Sequence, residues 1–336
     1  MMQDRHILLA HGNGGRLMRE LIDAVFVRHL GNPWLDADAD AAAVPLGGTE
    51  LLLSTDAFTV QPLEFPGGDI GSLAVNGTVN DLAVAGAVPL YLTLNAIIEE
   101  GLEVAQLERI VASMAGAARA AAGVVVVAGD TKVVRRGEGG GLYLATTGVG
   151  LRSHRAPPGP AGVKEGDRLL VSGPVGDHGI AVLLAREEFG LSGELASDCA
   201  NVLGLAQALL PLPGLRFMRD PTRGGLATVA HELSRASGRA VALDQAAIPI
   251  RPAVQSVCDM LGYDPLYLAC EGRILAAVSE DDAPAALAAW RALPEGREAA
   301  IVGAVRAGRP GVALRTVLGG ERLLQELEDD PLPRIC

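Results

Sequence analysis

The chain has 336 residues, of which 49% are hydrophobic, and its formal net charge is −12. That length exceeds what one hydrophobic core usually serves, so we expect two domains, and the acidic charge argues against nucleic acid or an anionic membrane as the main partner. No apolar run approaches the roughly 18 residues of a membrane span, and the four cysteines show no CxxC zinc pattern. We therefore expect a soluble, cytoplasmic protein with reduced thiols.

A glycine-rich turn, His11-Gly12-Asn13-Gly14-Gly15, opens the chain and is followed by apolar residues at helical spacing. Backbone N–H groups in such a turn can form an anion nest at a helix N-terminus. The turn matches neither the Walker A nor the dinucleotide pattern, so phosphate binding and a plain turn both remain open. An acidic segment at 36–40 ends at Asp40, and most such runs are simply solvated.

The first half alternates predicted strands and helices. The predicted strands are 50–56, 89–96, 124–127 and 142–149, and the predicted helices are a small-residue helix at 71–87 and an amphipathic helix after Gly101. The four valines at 124–127 predict a buried strand. Asn80 and Asp81 are unusual inside an apolar helix, and they either cap neighbouring backbone or face a polar site.

Carboxylates stand where two of these strands end, and ligands of α/β proteins gather at strand ends. Asp56 ends the first strand, and Asp130, Thr131 and Lys132 follow the valines. A carboxylate, a hydroxyl and an ammonium together form the set of groups that magnesium-phosphate chemistry uses. A plain turn needs a Gly-Asp pair but neither the threonine nor the lysine.

A proline-rich stretch at 154–165 predicts a linker between domains at 1–153 and 166–328. The second half predicts another α/β domain, with helices near 177–190, 198–210, 224–237, 251–262, 283–292 and 320–328 and strands near 239–243, 273–279, 299–305 and 312–316. The last segment, 329–336, contains two prolines and ends in Cys336. Proline removes backbone donors, so we expect an extended, mobile arm that carries a thiol.

Two segments of the second half carry candidate polar groups. Asp220, Thr222 and Arg223 precede a helix that bears His231, and Glu271 lies where a loop meets a strand. Asp220 is also typical of a helix N-terminus, and His231 of a packed or surface histidine, so both simpler interpretations stay open.

The candidate carboxylates are too many for one magnesium ion. Asp56, Asp81, Asp130 and Asp220, with Asp40 as a fifth candidate, suit two or three Mg²⁺ ions around a triphosphate. Phosphoryl transfer needs positioning and charge neutralisation, which Lys132, Arg223 and the glycine turns can supply. The residues therefore predict an enzyme that uses Mg-ATP.

The order of these motifs resembles the HypE family of hydrogenase maturation factors, in the aminoimidazole ribonucleotide synthetase (PurM-like) superfamily, along essentially the whole chain. The matching stretches are 11–15, 54–56, 65–68, 80–81, 129–132, 176–179, 220–225, 271–272 and the terminal Pro333-Arg334-Ile335-Cys336. Asn76 departs from a cysteine that members often carry. The resemblance implies an α/β (α+β), two-domain PurM-like fold whose N-terminal domain pairs its sheet across a homodimer.

The resemblance also implies a reaction. In this family the partner HypF attaches a carbamoyl group to the C-terminal cysteine, ATP drives its dehydration to a thiocyanate, and the cyanide passes to iron held by the HypC–HypD complex. By matched position, Asp56, Asp81, Asp130, Asp220 and Asp40 would bind magnesium. The nucleotide would contact Gly12, Asn13, Gly14, Gly15, Asn80, Thr131, Lys132 and Thr222. Cys336 would carry the substrate and Glu271 would be the base, while Lys132, Arg223 and His231 would steady the reacting groups.

Two other functions are consistent with parts of the sequence. A selenophosphate-synthetase-like enzyme would handle ATP similarly, but it carries its reactive cysteine or selenocysteine in the N-terminal glycine loop, where this chain has His11. The terminal cysteine argues against it. A non-catalytic scaffold would bind nucleotide only to dock maturation partners.

Overall fold

The computed structural model describes residues 16–27, 39, 41–186, 193–328, 332, 335 and 336. They form two α/β domains, each built on one mixed sheet, and β strands of the first domain end before residue 153 while those of the second begin at Arg168. Within the described residues, no helix is both long enough and apolar enough to cross a membrane.

The first domain contains a five-stranded sheet and several helices, of which the one at Ile70–Val84 packs on one face of the sheet. The helices are α1 (Arg16–Leu21), continued by a π-helix at Ile22–Val27, α2 (Ile70–Val84) and α3 (Val104–Ala120). The strands are β1 (Ala42–Leu46), β2 (Thr49–Phe58), β3 (Glu64–Phe65), β4 (Gly68–Asp69), β5 (Ala87–Glu99), β6 (Val125–Val134) and β7 (Leu142–Arg152). The sheet order is β1-β2-β7-β5-β6, with β5 and β6 parallel and the other pairs antiparallel, and β3 and β4 form a separate ribbon.

Two features of its sequence place helix α2 directly on this sheet: a capping box at its N-terminus and a glycine where it approaches β2. The carboxylate of Asp69 accepts hydrogen bonds from the N–H groups of Gly71 (2.7 Å) and Ser72 (2.9 Å), and the Ser72 hydroxyl oxygen accepts from Asp69 N–H. Such a capping box typically contributes about 1 kcal/mol. A Cβ atom on Gly77 would lie 2.9 Å from the Phe58 ring, so glycine there lets the helix approach β2.

The opposite face of the first sheet, which we call the open face, has no helix against it among the described residues. Along β2, Leu52, Ser54 and Phe58 are buried under α2, whereas Thr55 and Ala57 point to the open face and are exposed. The outer strand, β6, is exposed along almost its whole length.

The prediction of a buried strand at the four valines is therefore wrong for three of them in the single chain, since Val124 is buried but lies before β6. Val125, Val126 and Val127 are 46–58% exposed, because β6 is the last strand of the sheet. A run of β-branched residues predicts a strand, but it does not determine whether that strand is central or at the edge.

The second domain contains a seven-stranded sheet flanked by helices. The strands are β8 (Arg168–Val171), β9 (Leu215–Arg219), β10 (Ala240–Asp244), β11 (Leu275–Val278), β12 (Ala300–Arg306), β13 (Gly311–Arg315) and β14 (Glu321–Leu323). The helices are α4 (Asp177–Ala185), α5 (Leu203–Leu209), α6 (Gly225–Ser237), α7 (Pro252–Leu261) and α8 (Ala283–Arg291). The sheet order is β14-β13-β10-β12-β8-β11-β9.

The helix predicted at 320–328 is wrong. Residues Glu321–Leu323 form β14, which pairs antiparallel with β13, and the chain then continues without regular structure to residue 328. Leu323 is exposed and Leu324 is buried, which is the alternation of a strand. Strand β9 was not predicted from the sequence.

The two domains pack against each other through two hydrophobic clusters. One joins Val84 of α2 to Val202 of the second domain, and the other is the larger inter-domain hydrophobic cluster. It contains Phe58 and Val60 of the first domain, Ile180 and Leu268 of the second, and Ile335 of the C-terminal segment. The polar groups described below lie along this contact.

Candidate active site

Three carboxylates from separate parts of the chain interact at the contact between the domains. Asp56 lies in β2, Asp220 follows β9 directly, and Glu271 precedes β11. We call these three residues the inter-domain acidic cluster. Burial raises the pKa of all three. Asp56 and Asp220 both add to the rise at Glu271, and Asp56 also adds to the rise at Asp220.

Asp220 shows how strongly this position favours the protonated acid. Burial is the main cause that raises its pKa to about 6, Arg219 opposes the rise, and the charge of Asp56 adds to it. Closely spaced buried carboxylates that resist ionisation are the type of group that a cation or a cationic substrate complex stabilises.

Arg223 provides positive charge at the same place. It lowers the pKa of Asp56 and of Glu271, although burial outweighs that effect in both. The turn that carries Arg223 continues into Gly224 and Gly225, which both have positive φ angles. A Cβ atom on Gly225 would lie 2.5 Å from the Leu268 carbonyl oxygen. The turn can therefore pack against the main chain at Leu268 only with glycine at this position.

Glu271 is the most deeply buried acid of the cluster that also has spare hydrogen-bonding capacity. Its side chain is 3% exposed, and its Oε1 atom has no hydrogen-bond partner. The backbone is fixed on both sides, because Glu271 N–H donates to Asp198 Oδ1 (3.0 Å) and its carbonyl accepts from the Asn80 amide (3.3 Å). A buried, unpartnered carboxylate oxygen is suited to accept a proton or hydrogen bond from a bound substrate.

The helix α2 residues that the sequence singled out have two different roles. Asp81 accepts a hydrogen bond from Ser54 Oγ (2.5 Å) and remains partly accessible. The Asn80 amide instead joins the domains, because it donates to the carbonyls of Ala200 (3.0 Å) and Glu271 and accepts from Val202 N–H (2.9 Å). Asn80 thus positions Glu271, and these backbone contacts use both ends of its amide.

Asp130 and Lys132 lie away from the cluster. Asp130 is opposite Asn95 in the sheet, and the same row continues through Ala145 to Ala57, so Asp130 is on the open face while Asp56 is on the other. Three strand spacings of about 4.8 Å separate β6 from β2, or about 14 Å. Asp130 accepts from Lys132 Nζ at 2.8 Å, and that bond lowers its pKa; Thr131 N–H also donates to it.

The remaining predicted site residues fall into two groups. His231 Nε2 hydrogen-bonds to the Leu324 carbonyl (3.0 Å), an arrangement that anchors the segment after β14 to α6, and Thr222 lies in the turn beside Arg223. Gly12, Asn13, Gly14, Gly15 and Asp40 lie outside the described residues. Among the residues that are described, no three or more His, Cys, Asp or Glu side chains form a ready-made metal cage.

The described end of the C-terminal segment is docked between the domains. Leu332 and Ile335 are buried and Cys336 is half-buried, all within the inter-domain hydrophobic cluster. The main-chain oxygen of Cys336 accepts a hydrogen bond from Thr59 N–H (3.1 Å), and the Ile335 carbonyl lies 2.8 Å from His178 Nε2. Ile335 and Cys336 thus lie in an inward pose, between the domains, at the end of the segment that the prolines predicted to be mobile.

Sequence reasoning assigned no role to Thr59, His178 or Asp198. Thr59 and Asp198 carry no motif that distinguishes them. His178 lies within the Gly176–Gly179 stretch, and a histidine between glycines at the start of an apolar helix was the available signal. Its contact with a residue far along the chain depends on tertiary structure, which the local pattern does not contain.

Comparisons with known proteins agree with this architecture. Residues 38–152 match the family model "AIR synthase related protein, N-terminal domain", and residues 164–314 match "AIR synthase related protein, C-terminal domain". The chain is 50% identical to "Carbamoyl dehydratase HypE" of Cupriavidus necator, over 98% of this chain and 94% of that protein. It is 46% identical to the protein of the same name from Escherichia coli K12, over 98% of this chain and 99% of that one.

Solved structures give the same result. One described as a HypE–HypF complex superposes with a TM-score of 0.86 at 42% identity, covering 91% of this chain and 99% of that chain. Another, described as HypE in complex with ATP, superposes with a TM-score of 0.81 at 44% identity, covering 98% of this chain and all of that one. The chain therefore belongs to the HypE family of carbamoyl dehydratases and consists of the two domains of AIR synthase related proteins.

Proposed function

We propose that this protein catalyses the ATP-dependent dehydration of a carbamoyl group carried on Cys336, which yields a thiocyanate and supplies cyanide for the iron of a [NiFe]-hydrogenase. The observation that carries the proposal is the inward pose of the C-terminal segment, which brings the half-buried Cys336 between the domains that also hold the inter-domain acidic cluster. The relatives named carbamoyl dehydratase, one of them described in complex with ATP, support it.

The residues present fit a magnesium-bound triphosphate. Magnesium in such sites usually takes only one or two protein carboxylates and completes its shell with water and phosphate, so a ready-made cage is not required. Asp56 and Asp81 lie on facing elements, β2 and α2, and Ser54 orients Asp81. A cation would stabilise the ionised form of Asp220 most, because its charge would offset the effect of burial, which raises the pKa of Asp220. Bound Mg-ATP would supply the activation that turns the amide oxygen into a leaving group.

The chain's own task is then to move protons off the amide nitrogen. Converting S–C(=O)–NH₂ to S–C≡N removes one oxygen and two N–H protons. Glu271 is the proposed base: burial, followed by the charges of Asp220, Asp198 and Asp56, raises its pKa well above the usual range, so that its ionised form is a stronger proton acceptor than an ordinary carboxylate. The cation of bound Mg-ATP would favour that ionised form. Arg223 opposes that rise in pKa, and we propose that it balances the charge near the carbamoyl oxygen.

We also propose that a second copy of the chain covers the open face. Tyr91, Ile97, Val125 and Leu151 are each 37–50% exposed there, and on its outer side β6 pairs with no strand of the described residues, a combination that soluble proteins rarely leave uncovered. Asp130 and Lys132 lie on the same face and would meet the second copy, so we propose that they contribute to a nucleotide site across that interface.

Partners outside the chain follow from the family. A relative is described as a HypE–HypF complex, which supports a HypF-type donor that loads the carbamoyl group onto Cys336. We further propose that a HypC–HypD complex accepts the cyanide. This acceptor rests on the sequence resemblance.

Label transfer and ATP turnover test the proposal against a non-catalytic scaffold. A carbamoyl donor with a labelled carbonyl should label the wild-type chain and leave Cys336→Ala unlabelled, while both bind nucleotide. ATP hydrolysis should appear only with the carbamoylated wild-type protein. Label on Cys336→Ala would rule out the terminal thiol as carrier, and nucleotide binding without hydrolysis by the carbamoylated protein would favour the scaffold.

A further inference from the structure

The last two residues of the chain are held by both domains at once. Thr59, which directly follows β2, uses its N–H (3.1 Å) and its hydroxyl (3.3 Å) as donors to the main-chain oxygen of Cys336. His178, in the first turn of α4 of the second domain, contacts the Ile335 carbonyl with Nε2 at 2.8 Å. The C-terminal dipeptide therefore bridges the cleft beside the strand that carries Asp56.

The partners of His178 determine where its proton lies. The Ile335 carbonyl can only accept, so Nε2 carries the hydrogen and donates it. Nδ1 then accepts from the Ser197 hydroxyl (2.8 Å), whose oxygen in turn accepts from Cys199 N–H (2.9 Å). The ring is fully buried with its plane at 83° to that of Phe65, and burial lowers the pKa of His178, so the imidazole is the neutral tautomer at pH 7.

The start of α4 is built to hold this ring in place. Gly176 has a φ angle of 84°, and its N–H donates to Cys270 Sγ at 3.2 Å. A Cβ atom on Gly179 would lie 3.1 Å from the Leu268 side chain, so the first helical turn packs directly on the 268–270 segment. His178 is consequently fixed through its backbone as well as through Ser197.

The segment that orients His178 also orients Glu271. Ser197 bonds to the imidazole, and the next residue, Asp198, accepts a hydrogen bond from Glu271 N–H at 3.0 Å. Arg273 lies 3.4 Å from Asp198 and 3.6 Å from Asp177, the neighbour of His178. His178, which contacts the C-terminal dipeptide, and Glu271, the proposed base, are thus held by the same segment. This shared support fixes the distance between them.

We propose that His178 and Thr59 form a latch that holds the C-terminal dipeptide in its inward pose, so that His178 is a positioning residue for the reaction at Cys336. Burial of Ile335 favours the inward pose but does not fix the position of the main chain along the cleft. The three hydrogen bonds from Thr59 and His178 to the main-chain oxygen atoms of Cys336 and Ile335 fix that position. Opening the latch should therefore have opposite effects on two steps: Cys336 becomes more accessible for loading, and dehydration becomes slower. This inference rests on the proposed function only for the second of these effects.

Thiol labelling of the full-length protein without nucleotide tests the latch directly. The rate at which a bulky maleimide labels Cys336 is followed by mass spectrometry of the C-terminal peptide, with the buried Cys258 and Cys270 as internal reporters of unfolding. His178→Ala should speed Cys336 labelling by about tenfold, as expected for the loss of one buried hydrogen bond. Thr59→Val should speed it by about threefold, because the backbone N–H bond remains.

Two further variants separate the latch from general loosening. Tyr267→Phe also removes one hydrogen bond from a side chain to a main-chain carbonyl, that of Gln325 at 2.6 Å, and should leave Cys336 labelling unchanged. His178→Gln retains an N–H donor and should restore part of the protection. Unchanged Cys336 labelling in both His178→Ala and Thr59→Val would overturn the latch. If His178→Ala also exposes Cys258 and Cys270, that variant has lost its fold and Thr59→Val decides alone.

A second readout connects the latch to the reaction. With S-carbamoylated protein and saturating Mg-ATP, His178→Ala should slow single-turnover dehydration by about tenfold, with the ATP concentration for half-maximal rate unchanged. Faster labelling with an unchanged dehydration rate would contradict the positioning role. If the wild-type protein does not dehydrate its carbamoyl group at all, the proposed function fails, whereas the labelling result still decides whether the latch exists.

Discussion

Asp56 and Asp130 have nearly the same sequence signature, a carboxylate at the end of an apolar strand, but the fold gives them opposite environments. Asp56 faces α2 and the second domain, and burial raises its pKa. Asp130 lies on the open face of the edge strand, where its hydrogen bond with Lys132 lowers its pKa. The comparison shows that strand position and sheet face, which depend on partners far along the chain, decide what a carboxylate can do.

The largest effect is expected inside the inter-domain acidic cluster, at the proposed base. Glu271→Gln keeps the size of the side chain and the backbone contacts but removes the proton acceptor. We expect dehydration to slow by about 100-fold or more, as general-base loss typically does, while Mg-ATP binding changes little. Single-turnover mass spectrometry and calorimetry measure the two quantities.

The matched control for that change is Glu280→Gln, which alters an exposed glutamate paired with Arg168 after β11. It should leave the dehydration rate unchanged. Near wild-type dehydration by Glu271→Gln would remove Glu271 from the role of base.

The next largest effect concerns stability and its pH dependence. The folded-state pKa of Asp220 is about 6 against an ordinary 3.8, so the folded chain binds more protons than the unfolded chain between these values. Stability is therefore lost as pH rises from about 4 to about 6, and the cost persists at pH 7. Asp220→Asn should stabilise the nucleotide-free protein by about 1–3 kcal/mol at pH 7 and by nearly nothing below pH 4.

Urea unfolding at pH 7 and at pH 4 measures this difference, with the exposed Asp281→Asn as control. The same Asp220→Asn variant should bind Mg-ATP more weakly, because the group whose burial is costly is the one proposed to meet the cation. Lower stability at pH 7 would contradict the electrostatic account of the cluster.

A smaller and more conditional effect is expected at the open face. Tyr91→Asp places a charge within the proposed dimer contact and should convert a dimer into a monomer in light scattering at micromolar concentration. Val104→Asp is the matched control, because Val104 is 71% exposed at the start of α3, away from the open face. A wild-type protein that is strictly monomeric would contradict the proposal that a second copy covers the open face.

Asp130 then tests whether the interface contributes to nucleotide binding. In the dimer, Asp130→Asn should weaken Mg-ATP binding by about fivefold, as expected for one charged contact. In the Tyr91→Asp variant, Asp130→Asn should leave Mg-ATP binding unchanged, since Asp130 and Asp56 lie on opposite faces of the sheet within one chain. Equal losses in both backgrounds would place Asp130 in the site of its own chain.

Local patterns in the sequence predicted those strands and helices whose formation depends mainly on neighbouring residues. Strands β2, β5 and β7 and helix α2 lie where hydrophobic runs and glycine breaks indicated. Asp56 and Glu271 were selected by their place near a strand, and Asp220 by its place before a helix. Their electrostatic interaction was not predictable from spacing, because it depends on how the domains pack.

The errors have the same physical origin. The valines of β6 were predicted to be buried because edge and central strands share a composition. The helix predicted at 320–328 was wrong because the pairing of β14 with β13, which the local pattern does not contain, determines the structure there. The prolines of the C-terminal segment predicted an arm, and only the tertiary contacts of Thr59 and His178 show where its end docks.

The most direct test of the central claim is the mass of the C-terminal peptide after one turnover. Protein S-carbamoylated on Cys336 is incubated with Mg-ATP, digested and compared with the same protein without nucleotide and with carbamoylated Glu271→Gln. We predict the loss of one water from the C-terminal peptide of the wild-type protein alone, together with release of ADP and phosphate. An intact carbamoyl group on that peptide after ATP has been hydrolysed would contradict the account.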